Sequence, residues 1–198
     1  MISFINLSNE TPYQELKKKY EEALSKKQLY IEAISISSYC NKKKEVDSRF
    51  VNLKFIDKNE FIFFSNYESP KATQFESHNQ ISALIHWSKT NVQIRIKAKI
   101  KKINKEYSQN YFNNRSPKKN ALSISSHQSK EIDSYKNIVK NYEKVLASQN
   151  LNQCPDYWGG YSFVPYYFEF WEGHEHRLNK RKVFQKKEGS WSTLILQP

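Results

Sequence analysis

Tyr157-Trp158-Gly159-Gly160-Tyr161, followed after four residues by Tyr166-Tyr167-Phe168-Glu169-Phe170-Trp171-Glu172-Gly173-His174-Glu175-His176-Arg177-Leu178-Asn179-Lys180-Arg181, is the stretch that decides the fold. On a strand, successive side chains face opposite ways. Tyr166, Phe168 and Phe170 are therefore expected on one buried face, with Tyr167, Glu169 and Trp171 on the other. Gly173 closes the strand, and a short turn crowded with cations and imidazoles follows. The strand aims Trp171, and after it Arg177 and Arg181, at a rim where an anion or a flat ring could sit.

Working outward, residues 181–187 and 191–196 read as a closing hairpin across Glu188-Gly189-Ser190. Residues 92–103 alternate Val92, Ile94, Ile96 and Ala98 against Gln93, Arg95, Lys97 and Lys99, and 81–87 is a shorter strand. Residues 29–37 and 49–55 also read as strands, and Asp57-Lys58-Asn59 turns into another at 61–65. Between them lie helices: 11–27, with Thr11 as cap, Pro12 in the first turn and Gln14 completing a capping box; 69–78; a turn or more around Tyr107, Tyr111 and Phe112; and 131–147, whose apolar stripe is Ile132, Tyr135, Ile138, Val139, Tyr142 and Val145. Short antiparallel strands with interposed helices predict a mainly-β barrel or split barrel with peripheral helices. No repeat or linker divides the 198 residues, so one domain is expected.

Composition narrows the function classes. The net charge of +12 and mean hydropathy of −0.83 describe a polar, strongly basic surface that favours acidic partners. Nucleic acid is not favoured among them, because no zinc-finger, glycine-rich or recognised RNA-binding motif is present. Lys17-Lys18-Lys19 and Lys42-Lys43-Lys44 read as solvated runs. Cys40 and Cys154 are far apart and lack metal-ligand spacing, so neither a disulfide framework nor a metal site is expected. No apolar run approaches the roughly 20 residues of a membrane span, and the amino terminus lacks a secretion pattern. A cytoplasmic protein is expected.

Three clusters carry chemistry. Arg49 and Lys54 are an odd number of positions apart, so a regular strand would turn them to opposite faces. Ser65, Lys71 and the helix start at Ser69-Pro70 together suit an anion. Tyr111 and Arg115, four apart on a helix, present a phenol and a guanidinium side by side, which suits a phosphate.

The Trp-Gly-Gly, Glu-Phe-Trp-x-Gly and Arg-Leu-x-x-Arg pattern in residues 158–181 resembles the signature of the pyridoxamine 5'-phosphate oxidases, and the resemblance runs over about 12–198. It implies a six-stranded antiparallel split barrel, the FMN-binding split barrel, spanning 1–198 with residues 1–10 flexible. It also implies a homodimer sharing flavin at its interface. The flavin contacts implied are Arg49, Asn52, Leu53, Lys54, Phe64, Ser65, Lys71, Gln93, Gln128, Ser129, Trp171 and Arg181. The substrate contacts implied are Lys54, Tyr111, Arg115, Lys119, Arg177 and Asn179, with Arg177 at the substrate ring as the catalytic residue.

The activity implied is FMN-dependent oxidation of pyridoxamine or pyridoxine 5'-phosphate to pyridoxal 5'-phosphate, with dioxygen as acceptor. Several positions depart from the family pattern. Pro70 replaces an arginine and Asn52 a leucine, Lys119 stands where the family has a phosphate-binding serine, and Asn179 where it has a histidine. Met1 to Glu10 contain no arginine or lysine, so an arginine-rich lid is expected to be missing. Asn179 leaves open a related flavin oxidase on another substrate, as in phenazine-pathway relatives. A flavin-binding protein without robust oxidase activity is the other alternative.

Overall fold

The computed structural model describes residues 1–147 and 150–198. The chain runs β1 (Ser3–Ile5), α1 (Thr11–Ser25), β2 (Ala33–Cys40), β3 (Glu45–Asn52), β4 (Phe55–Asp57), β5 (Glu60–Asn66), α2 (Pro70–Ser77), β6 (Gln80–Trp87), β7 (Val92–Lys102), α3 (Lys105–Asn113), α4 (Pro117–Ser125), α5 (Tyr135–Leu146), β8 (Trp158–Glu172), β9 (Lys180–Lys187) and β10 (Ser190–Leu196). Mainly-β with flanking helices is the observed class. The sheet holds ten strands where six were expected, and its pairing follows an open path, β1-β4-β5-β8-β7-β6-β2-β3, with β9 and β10 branching from β8.

The 15-residue β8 organises this sheet. One of its edges pairs with β7 along nearly its whole length. The other edge is shared: residues 158–163 pair with β5, and residues 167–172 pair with β9. The changeover coincides with a bulge, where Lys97 pairs with Tyr167 but Ala98 pairs with Pro165. A bulge adds one residue and shifts the facing pattern, so Tyr166 does not share the buried face of Phe168 and Phe170 as the alternation suggested. It is half-buried and hydrogen-bonds Gln80 through its hydroxyl.

The core gathers the apolar faces of these strands under α1. Ile34, Ile36, Phe61, Phe63, Ile94, Ile96, Phe163 and Phe168 are fully buried, and Tyr13, Leu16, Tyr20 and Ala23 of α1 complete the cluster. Rings pack in offset and edge-on pairs, such as Phe61 on Phe163 at 5.1 Å and Tyr13 against Phe168 at 5.4 Å, geometries that suit the aromatic quadrupole. Gly159 lets the Tyr67 phenol lie against the β8 backbone, a space that any Cβ would overlap. The β9–β10 hairpin closes with Glu188 and Gly189 both at positive φ, 48° and 84°, the two-residue primed turn that matches strand twist.

Within residues 1–10, β1 pairs in parallel with β4, and the Ile2 N–H donates to the Tyr20 hydroxyl at 3.1 Å. Several expectations need correction. The α1 cap position is Glu10, without a side-chain cap, and the Gln14 amide donates to the Ser8 carbonyl instead of closing a capping box at Thr11. The strand expected at 29–37 begins only at Ala33, because Tyr30 takes a left-handed turn at φ 51°. The strand expected at 49–55 breaks after Asn52, where the Leu53 N–H turns to Glu32 O and the Lys54 N–H to Ile62 O. The last long helix starts at Tyr135, where Ser134 caps the Asn137 N–H. Helix α4 was not foreseen as a separate element. Position 147, expected inside the last helix, is its C-cap.

Candidate active site

A cleft of about 500 Å³ lies between the end of β3, β5, the start of α2, α3 and α4. Nine of the residues singled out in the sequence line it: Asn52, Lys54, Phe64, Ser65, Lys71, Tyr111, Arg115, Lys119 and Gln128. The break after β3 explains how Lys54 arrives there. Leaving the regular strand frees Lys54 from the alternation that would have set its facing.

The charge in the cleft is one-sided. Lys54, Lys71, Arg115 and Lys119 converge, and no carboxylate lines the cleft among the described residues. Burial pushes Lys71 down to about 8, helped by the neighbouring Arg49. Lys54 is also lowered by burial; Glu32 opposes the shift, while Lys119 and Arg115 add to it. Burial likewise lowers Arg115, with Tyr111 opposing. Cations held partly dehydrated, in a cleft whose lining has no carboxylate, favour the arrival of an anion.

Arg115 is fixed in place from three sides. Its Nη1 donates to Ser123 Oγ at 3.0 Å, its Nη2 donates to the Lys119 carbonyl at 3.1 Å, and its guanidinium carbon lies 4.5 Å above the Trp158 ring, a cation–π arrangement. The wall beside it is a parallel aromatic stack: Phe64 lies 3.8 Å from Tyr111 at 12° and 5.3 Å from Trp158 at 8°. At the other end the Lys71 ammonium donates to Ser69 Oγ at 3.0 Å, and Ser65 Oγ donates to Gln128 Oε1 at 3.3 Å. Cations, hydroxyls, an amide and flat rings form a donor set suited to phosphorylated planar molecules.

Other expected residues lie elsewhere. Arg49 sits behind the cleft, donating to Ser38 Oγ at 2.6 Å and Gln74 Oε1 at 2.8 Å. The Leu53 side chain is fully buried in the core, so it presents nothing to the cleft. Ser129 is exposed, in a left-handed turn at φ 67°. Arg177 and Asn179 belong to the turn after β8. Arg177 has φ 59° and is exposed, and Asn179 Oδ1 accepts the His174 N–H at 3.0 Å.

Gln93, Trp171 and Arg181 form a second group. Gln93 pairs with Trp171 and Trp171 with Arg181, so the three make one lateral row across β7, β8 and β9, and none of them lines the cleft of their own protomer. Trp158, Leu122, Ser123 and Ser126 line the cleft without having been singled out as site residues. Trp158 carried a signal, the Trp-Gly-Gly motif, whereas the others depended on recognising α4.

Among the described residues no group of three or more His, Cys, Asp or Glu could hold a metal ion, and no helix is long and apolar enough to cross a membrane. Residues 32–149 match the family model described as pyridoxamine 5'-phosphate oxidase, and residues 158–198 match the pyridoxine 5'-phosphate oxidase C-terminal dimerisation region. The pyridoxine/pyridoxamine 5'-phosphate oxidase of Colwellia psychrerythraea is 34% identical over 96% of this chain and 88% of its own. That of Coxiella burnetii is 32% identical over 94% and 95%. The crystal structure of PhzG from Burkholderia lata, in complex with tetrahydrophenazine-1-carboxylic acid, superposes with a TM-score of 0.87 at 25% identity, covering 94% of this chain and 92% of that one. The chain belongs to the pyridoxamine 5'-phosphate oxidase family of oxidoreductases.

Proposed function

We propose that this protein oxidises pyridoxamine or pyridoxine 5'-phosphate to pyridoxal 5'-phosphate, with FMN as cofactor and dioxygen as final acceptor. The observation that carries this reading is the cleft holding Lys54, Lys71, Arg115 and Lys119 without a carboxylate. In this reading Lys71, Ser65 and Gln128 hold the flavin phosphate end, with Arg49 adding positive potential from behind. Lys54, Tyr111, Arg115 and Lys119 hold the substrate phosphate, and Arg177 steadies the substrate ring. Bound FMN supplies a hydride acceptor that dioxygen can reoxidise, releasing peroxide. The protein contributes position and charge: the dehydrated cations fix both phosphates, and the aromatic wall excludes water from the rings.

The cleft and the Gln93–Trp171–Arg181 row are separate in one chain, and Trp171 and Arg181 lie within the segment matching the dimerisation region. We read the protein as a homodimer in which each row completes the partner's site, built on a split barrel and working in the cytoplasm. Purified protein is then expected to be yellow, to elute as a dimer, and to release peroxide when pyridoxamine 5'-phosphate is added. A colourless protein that takes up no added FMN would reject the reading.

A second reading is a flavin oxidase acting on another ring. Asn179 favours it, because its side chain is spent on the His174 N–H, and no imidazole stands at that position. Flavin-loaded protein inert towards both B6 phosphates would select it.

A further inference from the structure

The side chain that the alternation placed on the open face of β8, Glu169, is only 2% exposed. It lies one row from Gln93, Trp171 and Arg181, in register with Arg95 and Val183. Both carboxylate oxygens are occupied. Oε2 takes Arg95 Nη1 at 2.9 Å and the Tyr167 hydroxyl at 3.0 Å. Oε1 takes Arg181 Nε at 2.9 Å and lies 2.8 Å from Arg181 Nη2. The third guanidinium nitrogen of Arg181 donates to the Gln197 carbonyl at 3.0 Å.

A dehydrated carboxylate is stable only when charged and hydrogen-bonded partners replace its water. Here two guanidiniums do so, which leaves the cluster one positive charge in excess. Without the carboxylate the two guanidiniums would face each other unscreened, and Arg181 would lose the contact that sets its direction. Arg181 has one other contact of this kind, the Gln197 carbonyl at its third nitrogen, so Glu169, which holds the other two nitrogens, is the charged partner that sets the heading of that guanidinium.

We propose that Glu169 is a positioning residue that holds Arg181 at the end of the Gln93–Trp171–Arg181 row so that the row can receive flavin. The inference rests on the flavin reading above. Glu169 touches neither flavin nor substrate in this assignment and acts through Arg181 alone. A guanidinium locked before the ligand arrives loses less freedom on binding than a free one, so the expected signature lies in affinity.

The test is a double-mutant cycle on FMN dissociation constants, read from fluorescence quenching of flavin-free protein, with melting temperatures recorded in parallel. Glu169→Gln is expected to weaken FMN binding by about tenfold or more, the scale of a lost charge-assisted contact. Arg181→Gln should weaken it comparably, and adding Glu169→Gln to that variant should change the constant no further. A lower melting temperature with an unchanged FMN constant would make Glu169 merely structural and overturn the inference, as would fully additive losses. If Glu169→Gln fails to fold, Tyr167→Phe and Arg95→Gln each remove one support of the carboxylate; a two- to threefold loss of affinity (roughly) is expected, and no loss in either overturns the inference. Wild-type protein that binds no FMN overturns the flavin reading, and this inference with it. Wild type that binds FMN, beside a Glu169→Gln variant that binds it equally well, overturns the inference alone.

Discussion

Replacing Lys71 with methionine should make the flavin-free protein more stable while weakening its affinity for phosphate. Lys71 is 7% exposed, and burial together with Arg49 lowers it from 10.5 to about 8. At about 1.36 kcal/mol per pH unit, holding the ammonium charged in this place costs the folded state about 3 kcal/mol. The hydrogen bond to Ser69 returns about 1 kcal/mol, and a methionine keeps most of the buried stem. Relief of the charge outweighs loss of the bond, so Lys71→Met should gain about 1–2 kcal/mol at pH 7.

The pH dependence gives an independent check. A lysine with a lowered folded pKa is charged in both states below about 8, so the penalty is complete there. Between about 8 and 10.5 the unfolded chain binds more protons than the folded one, and wild-type stability rises with pH relative to the variant. Urea unfolding of both proteins, flavin-free, at pH 7 and at pH 10 should therefore show the variant's advantage shrinking. Added inorganic phosphate should stabilise the wild type more than the variant, which keeps only the Lys54, Arg115 and Lys119 end of the cleft. A variant less stable at pH 7, by an amount that does not change with pH, would refute the reasoning.

Other consequences can be measured separately. Arg115→Ala should raise the KM for pyridoxamine 5'-phosphate by about 10- to 100-fold, the worth of a charge-assisted contact, with little change in flavin content; an unchanged KM would remove the residue from the site. Gly159→Ala should cost about 1–3 kcal/mol by overpacking, because the new methyl overlaps the Tyr67 ring, whose hydroxyl donates to the Gly160 carbonyl at 3.0 Å; a melting curve checks it. Phe168→Ala, which empties a position fully buried against Tyr13, Phe61 and Trp191, should cost about 3–5 kcal/mol in urea unfolding.

What was legible in the sequence followed from periodicity and from local turn chemistry. Strands β6 and β7 alternate cleanly because one face is buried and the other is not, and their observed limits (Gln80–Trp87 and Val92–Lys102) lie within a residue or so of the reading. The turn at Lys58-Asn59 was readable because a short polar pair separates two apolar runs, and β4 and β5 do pair across it, Asp57 opposite Glu60. The failures share a cause. Alternation is counted along one strand, whereas facing is decided between strands. The bulge opposite Lys97 and Ala98 resets the phase of β8 at Tyr166, and the break at Leu53–Lys54 is set by the acceptors Glu32 and Ile62 on other segments. Pro165 stands at the first interruption, where a proline inside a strand marks a bulge or an edge; the second has no glycine or proline to announce it.

The same logic divides the site. Lys54, Lys71 and Arg115 come from distant parts of the chain, and no spacing rule brings them together; the family resemblance named them, and the cleft gathers them. Arg181 was named with them yet points to Glu169, because a guanidinium one row from a buried carboxylate gains more from that ion pair than from standing free in solvent. Sequence patterning marked Glu169 as an outward strand residue, and along a single strand it is one. Only the flanking strands, which bring Arg95 to one side and Arg181 to the other, turn that outward position into a buried one. The burial of Glu169 is therefore a property of three strands in register, and a shift of β9 by one residue against β8 would both expose the carboxylate and remove Arg181 from the row it shares with Trp171 and Gln93.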